Sequence, residues 1–286
     1  MRVSMLRLPA GLLLFCALLQ PVFAASSERA PSQQIVLRTG PAWDFLTANP
    51  NPAQQAWFHQ NVWRLISYSP YFDSRLSWFK NAWVYVDLYA IPITNSVIRT
   101  KHPDWIARDV DGNFLYVPYK CQGGSCPQFA ADLSNPAFRH EWIHKAEVLA
   151  ARGYRGLWID DVNFSPKISD GFGHPNYPMT TSDWQRQVLA FLAEIRCALP
   201  GMEVVYRSVL PLTEWSSYDD HTLAALLASC DYLYLDPAAT GSPATLRRLV
   251  ARLDSLNKSL ILETTTPHGP VISSYSNPQY VLGFVP

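Results

Sequence analysis

Short apolar runs alternate with longer amphipathic segments along most of the chain, which is the pattern of parallel strands covered by helices. Most runs are rich in β-branched and aromatic residues, as in WVYVDLY and GLWID. The pattern predicts seven strands: Arg64–Ser69, Trp83–Tyr89, Phe129–Leu133, Gly156–Asp160, Val204–Val209, Asp231–Asp236 and Ser259–Thr264.

The segments between these runs carry helix signals. Residues 135–153 begin with Asn-Pro, end at a glycine and place apolar residues at helical spacing. Residues 181–201, 219–230 and 242–258 repeat this plan. Repeated strand–helix units predict an α/β fold, a (β/α)8 TIM-type barrel, with residues 33–286 as one domain.

Only seven strands are predicted, whereas a (β/α)8 barrel has eight, so the position of the eighth strand is open. Residues 275–286 could supply it, or the last unit is incomplete, and Ile35–Arg38 could instead add an edge strand. A long insertion at residues 91–128 contains Asp111-Gly112, which predicts a tight turn between two extended pieces. We expect this insertion to cover one end of the barrel.

The N-terminus reads as a secretory signal peptide covering residues 1–25. Two arginines precede an apolar run that is too short to span a bilayer, and small residues follow near Ala24. We therefore expect a periplasmic or secreted protein with no stable membrane insertion after cleavage. An uncleaved N-terminal anchor is the alternative.

The charge balance argues against two classes of partner. Among 286 residues, 23 Lys and Arg face 23 Asp and Glu, and no basic run occurs. Nucleic acid and anionic membranes are therefore poor partners. Ten Trp and fourteen Tyr fit either a large core or the stacking of sugar rings on aromatic faces.

Four cysteines remain after removal of the signal peptide, which in an oxidising compartment suggests two disulfides. Cys121 and Cys126 flank a Gly-Gly turn, and the remaining pair would be Cys197–Cys230. A metal site is a weaker interpretation, because no histidine lies at ligand spacing from either pair.

Charged residues end nearly every predicted strand, where barrel enzymes place their reactive groups. Carboxylates around one rim, with many aromatic residues and no Cys or His partners, fit glycoside hydrolysis, which uses two acids and no cofactor. The candidates at these positions are Asp87, Tyr89, Asp132, Asp160, Asp161, Arg207, Asp236 and Glu263.

The segment from Asp132 to Asp160 resembles the central signature of a group of bacterial glycosidase barrels. These include the hypothetical glycosyl hydrolase family 15 and the family 114 endo-α-1,4-polygalactosaminidases. The shared pattern is an aspartate, Asn135-Pro136 opening a helix, Arg139, and then a glycine and three apolar residues before Asp160. The resemblance implies a polysaccharide substrate, Asp160 as the fourth-strand catalytic carboxylate and Asp236 in the sixth-strand position, where relatives usually have Glu.

Each candidate also has a purely structural interpretation. Asp160 could cap the following loop, and Asp161 could accept hydrogen bonds from backbone amides or bind an arginine. Asp132 could pair with Arg139 or cap the following helix. We expect Asp160 to act as nucleophile or base and Asp236 as the acid, with Glu263 as the competing acid. The expected substrate-binding residues, several of which could be core packing instead, are Asp87, Tyr89, Asp132, Trp158, Asp161, Arg207 and Glu263.

Two other functions remain open at this point. The shorter acid at position 236 fits a carbohydrate-binding barrel that has lost turnover. The Asp160-Asp161 pair could instead serve a metal-dependent deacetylase or phosphodiesterase, although the histidine ligands expected for such a site are missing.

Overall fold

The computed structural model describes residues 35–175, 177–208, 219–235, 243–266, 269–276 and 279–284. Asp236 and residues 1–25 lie outside these residues. The strands of the described part, in chain order, are β1 (Ile35–Arg38), β2 (Val62–Ser67), β3 (Ala82–Asp87), β4 (Ala90–Pro92), β5 (Gln128–Ala130), β6 (Gly156–Asp160), β7 (Glu203–Ser208), β8 (Tyr232–Leu235), β9 (Ser259–Thr266), β10 (Gly269–Ser276) and β11 (Gln279–Phe284).

Helices connect most of these strands. The α-helices are α1 (Asp44–Thr47), α2 (Pro52–Asn61), α3 (Ser96–Lys101), α4 (Pro136–Ala151), α5 (Thr181–Ala198), α6 (Asp220–Ala228) and α7 (Pro243–Ser255). Short 3-10 helices occupy Pro41–Trp43, Asp73–Ser77 and Pro103–Trp105. The four predicted helices are confirmed as α4 to α7, and Asn135 caps α4 by accepting hydrogen bonds from Ala137 and Phe138.

One curled sheet organises the domain. Its strand order is β1-β2-β3-β6-β7-β8-β9, with all seven parallel, and β10 and β11 continue it in antiparallel pairing. Parallel strands with helical crossovers confirm the barrel-like α/β class. Within the described residues, an eighth parallel strand is not present.

One predicted strand is wrong. Phe129–Leu133 does not enter the main sheet, because β5 pairs with β4 in a separate two-stranded sheet at the two ends of the insertion. Ile35–Arg38 is an edge strand beside β2, which confirms one of the open alternatives. With Phe129–Leu133 lost and Ile35–Arg38 gained, Gly156–Asp160 is still the fourth strand of the sheet. The C-terminal segment forms antiparallel strands rather than a further parallel unit.

The two faces of the sheet bury different clusters. The larger cluster packs strand residues such as Leu157 and Ile159 against helix residues such as Trp184 and Phe191. The smaller cluster contains only strand residues, which alternate with the first set and so point to the inner face of the curl. Its members are Val36, Trp63, Ile66, Trp83, Trp158, Val205, Tyr232, Tyr234 and Ile261.

A buried ion network lies at the amino end of this inner face. Arg64 donates from Nε and Nη2 to the two carboxylate oxygens of Glu203 at 2.8 and 2.6 Å. Trp83 Nε1 and Arg155 Nε donate to the same carboxylate at 2.7 and 3.1 Å. Arg64 is 1% exposed and Glu203 5%. Burial opposes the charge of Glu203, but the hydrogen bond and charge of Arg64 lower its pKa overall.

Gly156 makes this network possible. It lies beside Trp83 on one side and Glu203 on the other in the strand register. A Cβ added at Gly156 would come within 2.3 Å of the Glu203 carbonyl oxygen and 2.8 Å of Trp83 Cδ1. The glycine therefore allows the close approach of strands and ring at the base of the sheet.

The insertion forms a stapled hairpin region. Asp109 and Asn113 close the predicted turn, with Gly112 at φ 85°. The Cys121–Cys126 disulfide is confirmed, with an S–S distance of 2.07 Å. The Cys197–Cys230 prediction is wrong, because Cys230 has a free, buried thiol. Cys230 comes two residues after α6 and is buried in the larger cluster, where its thiol donates to the Leu227 carbonyl oxygen at 3.6 Å.

Gly156→Ala should destabilise the protein by about 1–3 kcal/mol, because the added methyl group clashes with backbone atoms that cannot move independently. Urea unfolding followed by tryptophan fluorescence measures the change. Gly201→Ala is the matched control, since its Cβ would meet no atom within 4 Å and its backbone lies outside the left-handed region. Equal midpoints for the two variants would contradict the proposed close packing.

Candidate active site

Asp160 is the centre of the polar group at the carboxyl end of the inner face. It is the last residue of β6 and only 7% exposed. Three donors bind its carboxylate: Arg207 Nη1 at 2.6 Å and the Asp161 amide at 2.9 Å on Oδ1, and the Tyr85 hydroxyl at 2.7 Å on Oδ2. An ion pair and two hydrogen bonds are the surroundings that an ionised, desolvated carboxylate requires.

Strand register brings these partners together. Trp83, Gly156 and Glu203 are adjacent at the base of the sheet. Asp87, Asp160 and Arg207 lie four residues further along the same strands. Side chains of a strand alternate between its two faces, so residues four apart point to the same face, here the inner one. Asp87 is paired directly with Asp160 across β3 and β6.

Asp87 and Asp161 form a second carboxyl pair beside Asp160. Their side chains hydrogen-bond to each other, which requires a proton on one of them. Burial, followed by the charge of Asp161, raises the pKa of Asp87 well above 3.8. Burial and then the charge of Asp160 raise the pKa of Asp161. The site therefore combines one carboxylate paired with arginine and two carboxyls that retain protons at higher pH.

Local geometry explains how two adjacent aspartates reach different partners. Asp161 adopts the left-handed conformation with φ 58°, which aspartate tolerates better than bulky residues. Asn163 Nδ2 donates to Asp161 Oδ1 at 3.2 Å, and the Trp184 indole in turn donates to the Asn163 carbonyl at 2.8 Å. Asp87 Oδ1 accepts from the amides of Tyr89 and Ala90 at 3.0 and 2.6 Å, which fixes its side chain at the end of β3.

Tyr85 is a site residue that the sequence analysis did not select. Burial, followed by the charge of Asp160, raises the pKa of its hydroxyl, so Tyr85 remains a hydrogen-bond donor to Asp160. The signal was available in WVYVD, since residues 83, 85 and 87 of a strand share one face. The sequence analysis also did not select Asn163, because this residue lies in the loop after β6 and not at the end of a strand.

Two of the residues predicted to contact substrate, Tyr89 and Trp158, are buried. Tyr89 has no exposed surface and packs edge-on against Trp184. Trp158 is 2% exposed and packs between Trp83 and Tyr234 in the inner cluster. Direct sugar contact by either ring is therefore not supported, and the core-packing interpretation fits both.

Asp132 lies in a different place from the Asp160 group. Because β5 belongs to the insertion, Asp132 does not end a barrel strand. Its Oδ1 accepts from the amide and hydroxyl of Ser134 at 2.9 and 2.6 Å, while Arg139 binds Glu194. Asp132 lines a separate cavity of about 490 Å³ together with Asp104, Tyr177 and Arg186.

The second catalytic acid cannot be located from the described side chains. Asp236 lies outside the described residues. Glu263 is in β9, with its backbone opposite Ile272, but its side chain also lies outside the description. Among the described residues, no group of three His, Cys, Asp or Glu side chains is arranged to hold a metal ion. No helix in that part of the chain is long and apolar enough to cross a membrane.

Comparison with known proteins places the fold. No family model and no curated protein sequence matches the chain. Among solved structures, the glycoside hydrolase domain of PelA from Pseudomonas aeruginosa aligns with a TM-score of 0.47 and 13% identity over 79% of this chain and 80% of that one. Ega3 from Aspergillus fumigatus, in complex with galactosamine, gives 0.48 and 10% over 80% and 74%.

The alpha-glucosyl transfer enzyme XgtA aligns with a TM-score of 0.52 and 14% identity, over 82% of this chain and 60% of that enzyme. This similarity shows the fold, which is the barrel type used by glycoside hydrolases and related sugar-transferring enzymes. Membership of family 15 or family 114 stays a prediction of the sequence resemblance.

Asp87→Asn should stabilise the protein more at pH 7 than at pH 4. In the folded wild type the raised pKa keeps a proton on Asp87 that the unfolded chain releases above about 3.8, so wild-type stability falls as pH rises through this window. Asparagine keeps an oxygen that accepts from the amides of Tyr89 and Ala90, and it does not ionise, so its burial does not become more costly as the pH rises. We expect its melting temperature relative to wild type to rise by roughly 2–4 °C between the two pH values.

Scanning calorimetry at both pH values measures this difference. Asp111→Asn, in the exposed turn of the insertion, is the control and should show no such change with pH. A melting-temperature difference for Asp87→Asn that stays constant or falls with pH would contradict the raised pKa.

Proposed function

We propose that the protein is an exported glycoside hydrolase that cleaves a polysaccharide with a pair of carboxyl groups. The observation that carries the proposal is Asp160 at the carboxyl end of the inner sheet face, held by Arg207 and Tyr85 beside two carboxyls with raised pKa values. Glycosidic-bond hydrolysis needs one carboxyl group as nucleophile or base, and a second one as the acid.

Asp160 is proposed as the nucleophile or base. As nucleophile it would form a bond to the anomeric carbon while the glycosidic oxygen leaves; as base it would take a proton from the attacking water. Asp236 is the proposed acid that protonates the leaving oxygen, with Glu263 as the competing candidate. In the sequence Asp236 comes directly after β8, and Glu263 belongs to β9. Both strands follow β7 in the sheet order, on the side of β6 opposite β3.

The neighbouring groups have supporting roles in this proposal. Arg207 balances the charge of the Asp160 carboxylate, which lies in a position nearly closed to water. Asp87 and Asp161 accept or donate hydrogen bonds to sugar hydroxyls according to which of them carries the proton. No cofactor is needed for this chemistry.

Export is supported by two features of the chain. The first 25 residues have the composition of a signal peptide. The Cys121–Cys126 disulfide fits an oxidising compartment such as the periplasm or the cell exterior. A polysaccharide is the expected partner in that location.

The direct test is release of reducing ends from a panel of bacterial polysaccharides, including galactosamine-rich ones, by the mature protein. Asp160→Asn should lower the rate by several orders of magnitude, since the amide cannot act as nucleophile or base, yet it preserves the size of the side chain. Asp111→Asn is the matched control and should keep the wild-type rate. The wild type should retain full activity in a chelator.

Equal rates for Asp160→Asn and wild type would overturn the assignment of Asp160. A second candidate function, carbohydrate binding without turnover, is favoured by the shorter acid at position 236. Sugar binding by the wild type without release from any substrate would support that second candidate.

A further inference from the structure

An exposed aromatic ring lies at the carboxyl end of the parallel strands, the end that holds Asp160, and has no role in the mechanism above. Tyr68 directly follows β2, and its side chain is 39% exposed. One side of its ring stacks on Tyr71, with centroids 5.0 Å apart and planes at 29°. Exposed aromatic rings are common, so the question is whether this one is held in place for a ligand.

Tyr71 is held in place by hydrogen bonds from its hydroxyl group and by a cation on its ring. Its hydroxyl lies 2.8 Å from the Gly40 carbonyl oxygen and 2.6 Å from Asp44 Oδ1, and it donates its proton to these acceptors. The Arg75 guanidinium lies 4.1 Å from the Tyr71 ring centroid and pairs with Asp44 at 2.6 Å. Arg75, Tyr71 and Tyr68 therefore form an ordered stack, and the outermost ring loses little freedom when a ligand binds.

The stack lies close to Asp160. Ser67 is paired with Val84 across β2 and β3, so Tyr68 stands at the level of Tyr85, whose hydroxyl binds Asp160. Asp160 is two strands away from Tyr68 and two residues further along. With strands about 4.8 Å apart and a rise of about 3.3 Å per residue, the two backbones are roughly 12 Å from each other. This separation puts Tyr68 within reach of a sugar that flanks the reacting one.

Arg38 adds hydrogen-bond donors between these points. It ends β1, and its guanidinium carbon lies 5.8 Å from the centroid of the Tyr85 ring. The Arg38 side chain is exposed. Tyr85 lies between the strand of Tyr68 and the strand of Asp160 in the sheet, so the Arg38 guanidinium stands over the path between them. Its N–H groups can donate to hydroxyl groups at the edge of a ligand that packs on Tyr68.

We propose that Tyr68 is a stacking platform for a pyranose ring next to the reacting sugar, and that Arg38 donates to the hydroxyl groups of that ring. The C–H face of a pyranose is apolar and packs on an aromatic ring irrespective of linkage. This subsite rests on the proposed function and gives it a substrate-positioning residue outside the carboxyl cluster.

The test measures binding by isothermal titration in the Asp160→Asn background, where turnover does not consume the ligand. The probes are maltohexaose, cellohexaose and chitohexaose, which cover α and β linkages. Tyr68→Ala should weaken the Kd by about tenfold for each hexasaccharide that binds. Tyr68→Phe keeps the ring and should stay within about twofold of the parent.

Trp57→Ala is the control. Trp57 is a similarly exposed aromatic residue, 49% exposed, on α2, which leads into the amino end of β2 at the opposite end of the sheet. Its removal should leave the Kd unchanged. Equal affinity of Tyr68→Ala and the parent would overturn the platform, as would Tyr68→Phe binding as weakly as Tyr68→Ala.

Failure of this subsite and failure of the proposed function give different results. Turnover that depends on Asp160 together with binding that ignores Tyr68 overturns the subsite alone. Binding that depends on Tyr68 together with turnover that ignores Asp160 overturns the catalytic assignment alone. Absence of binding of all three hexasaccharides to the parent overturns the subsite, because ring stacking does not select a linkage.

Discussion

The buried ion pair between Arg64 and Glu203 fixes the central strands relative to one another. Arg64 comes from β2 and Glu203 from β7, while Trp83 of β3 donates to the same carboxylate and Gly156 of β6 makes room for it. Loss of one partner from such a pair typically costs about 3–5 kcal/mol, because the other charge is left buried. Four residues, or about 13 Å, further along these strands, the same register delivers Asp87, Asp160 and Arg207 to one place.

The balance of charge differs between the two ends of the inner sheet face: arginines outnumber carboxylates at the amino end (the base), and carboxyls outnumber arginines at the carboxyl end. At the base two arginines surround one carboxylate, and the pKa of Glu203 is lowered. At the carboxyl end Arg207 stands beside three carboxyls, and burial together with the charge of a neighbouring aspartate raises the pKa of Asp87 and of Asp161. These raised pKa values cost stability as the pH rises towards neutral. Strand ends that needed only a cap would not require such a cluster, which makes it a candidate functional site.

The sequence predicted the parts of this structure that depend on periodicity and end signals. The four long helices, the α/β class, the 121–126 disulfide and the place of Asp160 at a strand end follow from such local patterns. The role of Phe129–Leu133 did not, since a short apolar run has the same pattern in a central sheet and in an insertion. Tyr89 was selected for its place at a strand end and Trp158 for its residue type, whereas the burial of both depends on packing against Trp184 and Trp83. The pairing of Cys197 with Cys230 needed distances that spacing along the chain does not contain.

The central claim is that Asp160 reacts with the substrate rather than serving as a counter-ion for Arg207. Chemical rescue tests it most directly: Asp160→Gly opens space for azide, which can bond to the anomeric carbon in place of the missing group while the glycosidic oxygen leaves with a proton from the acid. We predict that azide restores turnover and yields a glycosyl azide, and that Arg207→Met, which keeps Asp160, gains nothing from azide. An Asp160→Gly protein that still binds sugar but stays inactive in azide would contradict the account.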